Sequence, residues 1–154
     1  MICWRLTKSK YSQLDGEGGR IVASRWNSRG IPIIYTGDSP SLCLVESKLH
    51  LEDLPTDYVL LRIKVPDSHV VSIESHPLLA RWQSNEVWTR SVGDEWVRES
   101  SSIGLSVPSA IVPNDRVILL NPTFPDFATP VQSETVDFPR THWVFSFNSP
   151  PQVS

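Results

Sequence analysis

The stretch RWNSRGIPIIYTGDSPSLCLVE, residues 25–46, decides how this chain folds and where its chemistry lies. Its middle, IPIIYTG, has the β-branched and aromatic content of a strand. Ser39 followed by Pro40 supplies an N-cap and a proline in the first helical position, so a helix is expected from there to about Leu51. Leu42, Val45 and Leu49 recur at helical spacing and mark its core-facing stripe. Glu46 stands four residues after Leu42 and three before Leu49, on or beside that stripe. Burying an unpaired carboxylate costs several kcal/mol. Two readings stay open on the residues alone: Glu46 reaches a partner or ligand in a cleft, or it rides at the edge of the stripe and swings into water.

Arg25 and Trp26 precede the loop NSRG, which leads into the strand carrying Tyr35. An arginine fork holds a phosphate through two parallel hydrogen bonds, and a tyrosine at a strand end stacks on a planar ring. Taken singly, neither is diagnostic, because surface arginines are usually solvated and strand tyrosines usually pack. Upstream, ICWRL reads as a first strand and DGEGGR as a glycine-rich loop. That loop lacks the Lys-Ser/Thr ending of a P-loop and the spacing of a dinucleotide fingerprint, so it stands open between a phosphate-binding loop and a flexible connection.

Downstream, DYVLLRIKVP places Val59, Leu61, Ile63 and Val65 on one face and Arg62 and Lys64 on the other, as in a half-exposed strand. VVSIES reads as another strand, PLLARWQS as a short helix and VGDEWVRES as a helical turn or two. LSVPSAIV and RVILLNP read as paired strands joined by PNDR. Residues 122–141, rich in proline, threonine and aspartate, read as a long surface loop, and HWVFSF supplies a closing strand at 143–147. Trp82, Trp88 and Trp96 form either core or an apolar contact surface.

The chain has 154 residues, which fits a single domain spanning 1–154 that buries about two thirds of its unfolded surface. With 20% charged residues and a net charge of -3, it is poorly suited to gripping a polyanion, so no direct nucleic-acid binding is expected. Cys3 and Cys43 show no CxxC spacing, and His50, His69, His76 and His142 show no metal-ligand spacing. The start MICWRLTKSKYSQ has no export pattern and no run approaches a membrane span, so a cytoplasmic protein with no membrane partner is expected. Ser109, in VPSA, lacks a G-x-S-x-G elbow and reads as a backbone-capping serine rather than a nucleophile.

In combination these stretches say more. An early WR, then RWNSRGIPIIYTGDSPSLCLVESKLHL, then GDEWVRESSSIGLSVPSAIVPNDRVILLNPTFPDF, in that order, resembles the RES domain family, from Trp4 to about Phe127. The family takes its name from arginine, glutamate and serine positions and supplies the toxins of bacterial toxin-antitoxin pairs. The resemblance implies an α+β fold with an ADP-ribosyltransferase-like core of two packed, mostly antiparallel β-sheets, flanking short helices and a cleft for NAD. It places the family's arginine on Arg25, its strand tyrosine on Tyr35, its helix glutamate on Glu46 and its serine on Ser109, with Arg5 matching an arginine of the first strand. Two departures stand out. Ala23 and Ser24 occupy the glycine places of the family's GGRWN block, and Phe124 occupies the histidine place of its NPxHPDF block.

The same resemblance implies cleavage of the nicotinamide-ribose bond of NAD by phosphorolysis or hydrolysis. NAD is then the substrate, inorganic phosphate a possible co-substrate, and no metal or other cofactor is expected. Glu46 supports the positive charge that develops on the ribose, Arg25 grips pyrophosphate or incoming phosphate, and Tyr35 stacks on nicotinamide or orients the ribose. Ser109 hydrogen-bonds the nicotinamide side or positions Glu46, and Arg5 is a further NAD-binding residue. The implied partners are an Xre-like antitoxin and a second toxin copy, as a dimer within the hetero-oligomeric complex. ADP-ribosylation of a specific protein is the alternative from within enzymology, and a regulatory binding module with a degenerate pocket is the non-enzymatic one.

Overall fold

A computed structural model describes residues 1–47, 56–73 and 81–137. Strands β1 (Ile2–Lys8), β2 (Ile34–Gly37), β3 (Tyr58–Lys64), β4 (Val70–Ser72), β5 (Gly104–Pro108), β6 (Arg116–Leu120) and β7 (Gln132–Val136) form one hydrogen-bonded sheet in the order β4-β5-β6-β2-β1-β3-β7. Every pairing is antiparallel except β4 with β5. Helices α1 (Glu17–Ile21), α2 (Pro40–Ser47) and α3 (Glu86–Glu99) complete an α+β fold.

The two sheets implied by the family resemblance correspond to two halves of this one hydrogen-bonded sheet. β1 and β3 pair along their full length, from Ile2 opposite Lys64 to Lys8 opposite Tyr58, and β2 pairs with β6 from Ile34 opposite Leu120 to Gly37 opposite Val117. β1 and β2 share one registered pair, Trp4 with Gly37. The halves β4-β5-β6-β2 and β1-β3-β7 therefore meet at a narrow join, and α2 packs on both strands there.

The period of two along a strand divides the core. Leu105, Val107, Val117 and Leu119 face a cluster with Trp26, Ile33, Leu42, Trp82 and Trp96. Ile118 and Leu120 face a second cluster with Cys3, Ile34, Leu61, Ile63 and Phe127. The unbroken apolar run Val117–Leu120 is buried throughout, as a central strand covered on both faces must be. Trp82 and Trp96 are thus core, and Trp88 packs against the same cluster, so this trio forms no exposed apolar surface.

Several local expectations change. Val45 is 45% exposed and does not belong to an inward stripe; α2 buries Leu42 and Cys43, and the Cys43 thiol donates to the Trp4 carbonyl at 3.0 Å. Leu49 and the remainder of the expected helix to Leu51 lie outside the described residues, as do much of PLLARWQS and the closing strand at 143–147. The turn or two expected at VGDEWVRES is the second half of a 14-residue helix that starts where the Asn85 side chain accepts the Trp88 amide. The loop expected over 122–141 contains β7, an edge strand of polar residues whose Glu134 pairs with Arg62 at 3.1 Å.

Candidate active site

At the join of β1 and β2 opens a cavity of about 290 Å³, near the lower end of small-molecule pockets. Each wall follows from the fold. Arg5 comes from β1, Tyr35 and Gly37 from β2, Glu46 from the last turn of α2, Arg25 from the loop before β2, and Pro108 from the end of β5. Ser39 starts α2 by accepting the Leu42 amide at 3.1 Å, and this orients the helix so that Glu46, one turn beyond Leu42, reaches the cavity half-buried.

Ser109 stands behind Glu46. Its Oγ accepts the Ile111 and Val112 amides at 3.1 and 3.0 Å, which fills both lone pairs. The single hydroxyl proton is left for Glu46 Oε1, 2.6 Å away. The serine therefore caps the turn after β5, as its surroundings in the sequence suggested, and also aims the carboxylate, because a short charge-assisted bond fixes one of its oxygens.

The two arginines differ. Arg25 is half-buried and its Nη1 donates to the Gln83 carbonyl at 2.6 Å, with no other hydrogen bond from its fork among the described residues. Arg5 lines the cavity, and its buried Nε has no hydrogen-bond partner among the described residues. Burial lowers its pKa, with Asp15 and Cys43 acting in the opposite sense, yet a guanidinium stays charged at neutral pH. Two cationic side chains on the wall of one cavity fit a site that receives an anion.

Tyr35 offers its ring and not its hydroxyl. The hydroxyl accepts the Trp26 amide at 3.0 Å and donates to Asn27 Oδ1 at 2.7 Å, so its one proton is committed within the protein. Burial pushes the phenol up to about 12, against the lowering effect of the Trp26 amide, which excludes Tyr35 as a base at neutral pH.

Asn27 escaped sequence reasoning. Fully buried, it donates to the carbonyls of Gly19, Val22 and Ser28 at 3.1, 3.2 and 3.1 Å and so shapes the loop that carries Arg25. An asparagine directly after a buried tryptophan, ahead of an apolar strand, was the available signal. The glycine-rich stretch 15–20 does not line this cavity. Gly19 is needed because a Cβ there would lie 2.5 Å from the Ile31 carbonyl oxygen, a packing reason rather than a phosphate-binding one. Ser24, one of the two residues in the glycine places, lines the cavity, while Phe124 packs against the opposite core cluster and edge-on to His69.

A cavity with two arginines, a tyrosine face and a serine-held glutamate, drawn from blocks in this chain order, is matched over nearly the full length by a family model: residues 2–141 fit that of the RES domain. The chain belongs to the RES domain family. Among RES relatives, it is 39% identical over 133 residues to a protein named Toxin Res of Photorhabdus laumondii, covering 82% of this chain and 85% of that one. It is 38% identical to Toxin Res of Pseudomonas putida, over 81% of this chain and 87% of the relative. A protein of Sphingobium named Prs ADP-ribosylating toxin is 33% identical, over 80% of this chain and 83% of that one. The RES fold is also that of a chain in the crystal structure of the M.tuberculosis MbcT-MbcA toxin-antitoxin complex, with a TM-score of 0.70, 22% identity, and coverage of 92% of this chain and 86% of that one.

Proposed function

We propose that this RES domain is the toxin of a toxin-antitoxin pair and that it cleaves the nicotinamide-ribose bond of NAD. The observation that carries the proposal is the Glu46 carboxylate, held by Ser109 in a cavity that Arg5 and Arg25 also line. Relatives named Toxin Res, at 39% and 38% identity, support the toxin role.

The bond between the ribose anomeric carbon and the nicotinamide nitrogen breaks with its electron pair going to nitrogen, which releases neutral nicotinamide. Positive charge develops on the ribose, and a fixed carboxylate nearby stabilises that transition state more than the ground state. Glu46 supplies this charge, and its oxygen turned away from Ser109 accepts a ribose hydroxyl. Arg5 and Arg25 bind the pyrophosphate, and the Tyr35 ring packs on a planar face of the substrate. With inorganic phosphate as acceptor, a phosphate oxygen bonds to the anomeric carbon and gives ADP-ribose phosphate. With water as acceptor, ADP-ribose forms and a proton is released.

Mass spectrometry of NAD incubated with the protein, with and without inorganic phosphate, tests the proposal. Phosphate-dependent ADP-ribose phosphate identifies a phosphorylase and phosphate-independent ADP-ribose a glycohydrolase; NAD left intact under both conditions overturns autonomous cleavage. A second reading, transfer of ADP-ribose to a protein, is favoured by the relative named Prs ADP-ribosylating toxin. Label from adenine-labelled NAD that stays on a protein band distinguishes it. The proposed partners are an Xre-like antitoxin that covers the cavity and a second toxin copy within the complex.

A further inference from the structure

The loop that carries Arg25 is held from behind by a helix face made of polar and small residues. Arg90 Nε donates to the Ser24 carbonyl at 2.8 Å, Thr89 Oγ1 to the Arg25 carbonyl at 2.6 Å, and Asp94 Oδ1 accepts the Ser28 amide at 2.8 Å. Between these contacts Gly93 lies so close to the loop that a Cβ built on it would stand 1.7 Å from the Trp26 carbonyl oxygen. Thr89 and Asp94 are buried, at 0% and 6% exposure. Asp94 forms no ion pair among the described residues. A buried carboxylate is costly unless its hydrogen bonds matter, and this one is spent on a loop amide.

From the other side Tyr35 holds the Trp26 amide and Asn27. The backbone from Ser24 to Ser28 is thereby fixed between α3 and β2, and the Arg25 side chain departs from a backbone whose position α3 sets. Helix α3 itself contributes no residue to the cavity lining.

We propose that the inner face of α3 is a clamp that places Arg25 in the cavity, with Asp94 as a positioning residue. The functional consequence rests on the NAD reading above; the clamp itself does not. Its test uses the full chain with Asp94→Ala and Asp94→Asn, reading amide hydrogen exchange at Ser28 and Trp26 by NMR alongside kcat and KM for NAD. Asparagine keeps an oxygen that accepts the Ser28 amide, whereas alanine does not.

The expected result is a folded Asp94→Ala protein with faster exchange at both amides and a KM raised by up to about tenfold, the effect of losing one hydrogen bond to a charged group. Asp94→Asn restores both. Unchanged exchange in folded Asp94→Ala, or faster exchange with unchanged KM, overturns the proposal, as does equal impairment of both variants. If Asp94→Ala does not fold, Thr89→Val against Thr89→Ser reads the same clamp through the Arg25 carbonyl, with loss and rescue expected in the same sense. Should the unaltered chain leave NAD intact, the substrate reading fails, and exchange at Ser28 still decides the clamp.

Discussion

The Ser109 hydroxyl donates to Glu46 Oε1 at 2.6 Å across 63 positions of sequence, and its two lone pairs are filled by the amides of Ile111 and Val112. The direction of the proton is thereby forced, and Glu46 enters the cavity as an oriented acceptor. Several consequences are measurable.

Glu46→Gln keeps an acceptor for Ser109 and removes the charge. Loss of a group that acts mainly in the transition state costs ~2.7–4 kcal/mol, about 100- to 1,000-fold in rate. Circular dichroism and melting temperature should match the unaltered protein while NAD consumption nearly ceases. Near-normal NAD loss in the folded variant would remove Glu46 from the mechanism.

Ser109→Ala removes the donor to Glu46 and leaves two amides of the turn without their acceptor. These bonds are part-buried, so each lost amide partner costs about 1 kcal/mol, the net worth of an ordinary hydrogen bond. The variant should therefore melt lower and turn over more slowly, whereas Glu46→Gln changes turnover only. Comparing the two melting curves separates capping from catalysis.

Arg25→Lys preserves the charge and loses the fork. A hydrogen bond to a charged group contributes about 1.5 kcal/mol at the low end, which corresponds to roughly tenfold in affinity. We expect KM for NAD to rise by about that factor, with a smaller change in kcat. A KM within about twofold of the unaltered protein would argue against a phosphate clamp at this residue.

Alkaline pH should weaken the fold through the buried Tyr35 phenol and Cys43 thiol, with the Cys3 thiol, also raised by burial, acting in the same sense. Burial raises the Tyr35 phenol from 10.0 to about 12 and the Cys43 thiol from 9.0 to about 11. Above each ordinary value the unfolded chain gives up a proton that the folded chain retains, so stability falls as pH rises through 9.0–11 for Cys43 and 10.0–12 for Tyr35. Melting temperatures measured across this range should drop in the unaltered protein and drop less in Tyr35→Phe and Cys43→Ala, each compared with its own value at neutral pH. An equally steep fall in both variants would assign the effect to other groups.

What could be read from the sequence was written in short-range contacts. Ser39 and Pro40 announce α2 because an N-cap bonds to an amide three residues away. VPSA and RVILL announce β5 and β6 because their apolar content and the turn between them are local. The order of the blocks around Arg25, Tyr35, Glu46 and Ser109 carried the family resemblance, and all four residues come together at one site. Helix α3 was legible only in part, because Thr89, Gly93 and Asp94, a polar and small set, share its buried face with Trp96 and Val97 and dilute the apolar stripe. β7 was missed for a related reason: an edge strand with exposed Gln132, Ser133 and Glu134 shows no alternation of apolar and polar residues.

Tertiary structure alone decided which polar atoms answer one another. That Ser109 serves Glu46, that the Tyr35 hydroxyl is committed to Trp26 and Asn27, and that Arg5 reaches the same cavity are all outcomes of elements meeting around the join of β1 and β2. The physical reason is that helix caps and strand periodicity arise from neighbours a few residues apart. The partner of a buried polar group is set by whichever distant segment the packing brings to it, and nothing in the local sequence encodes that distance.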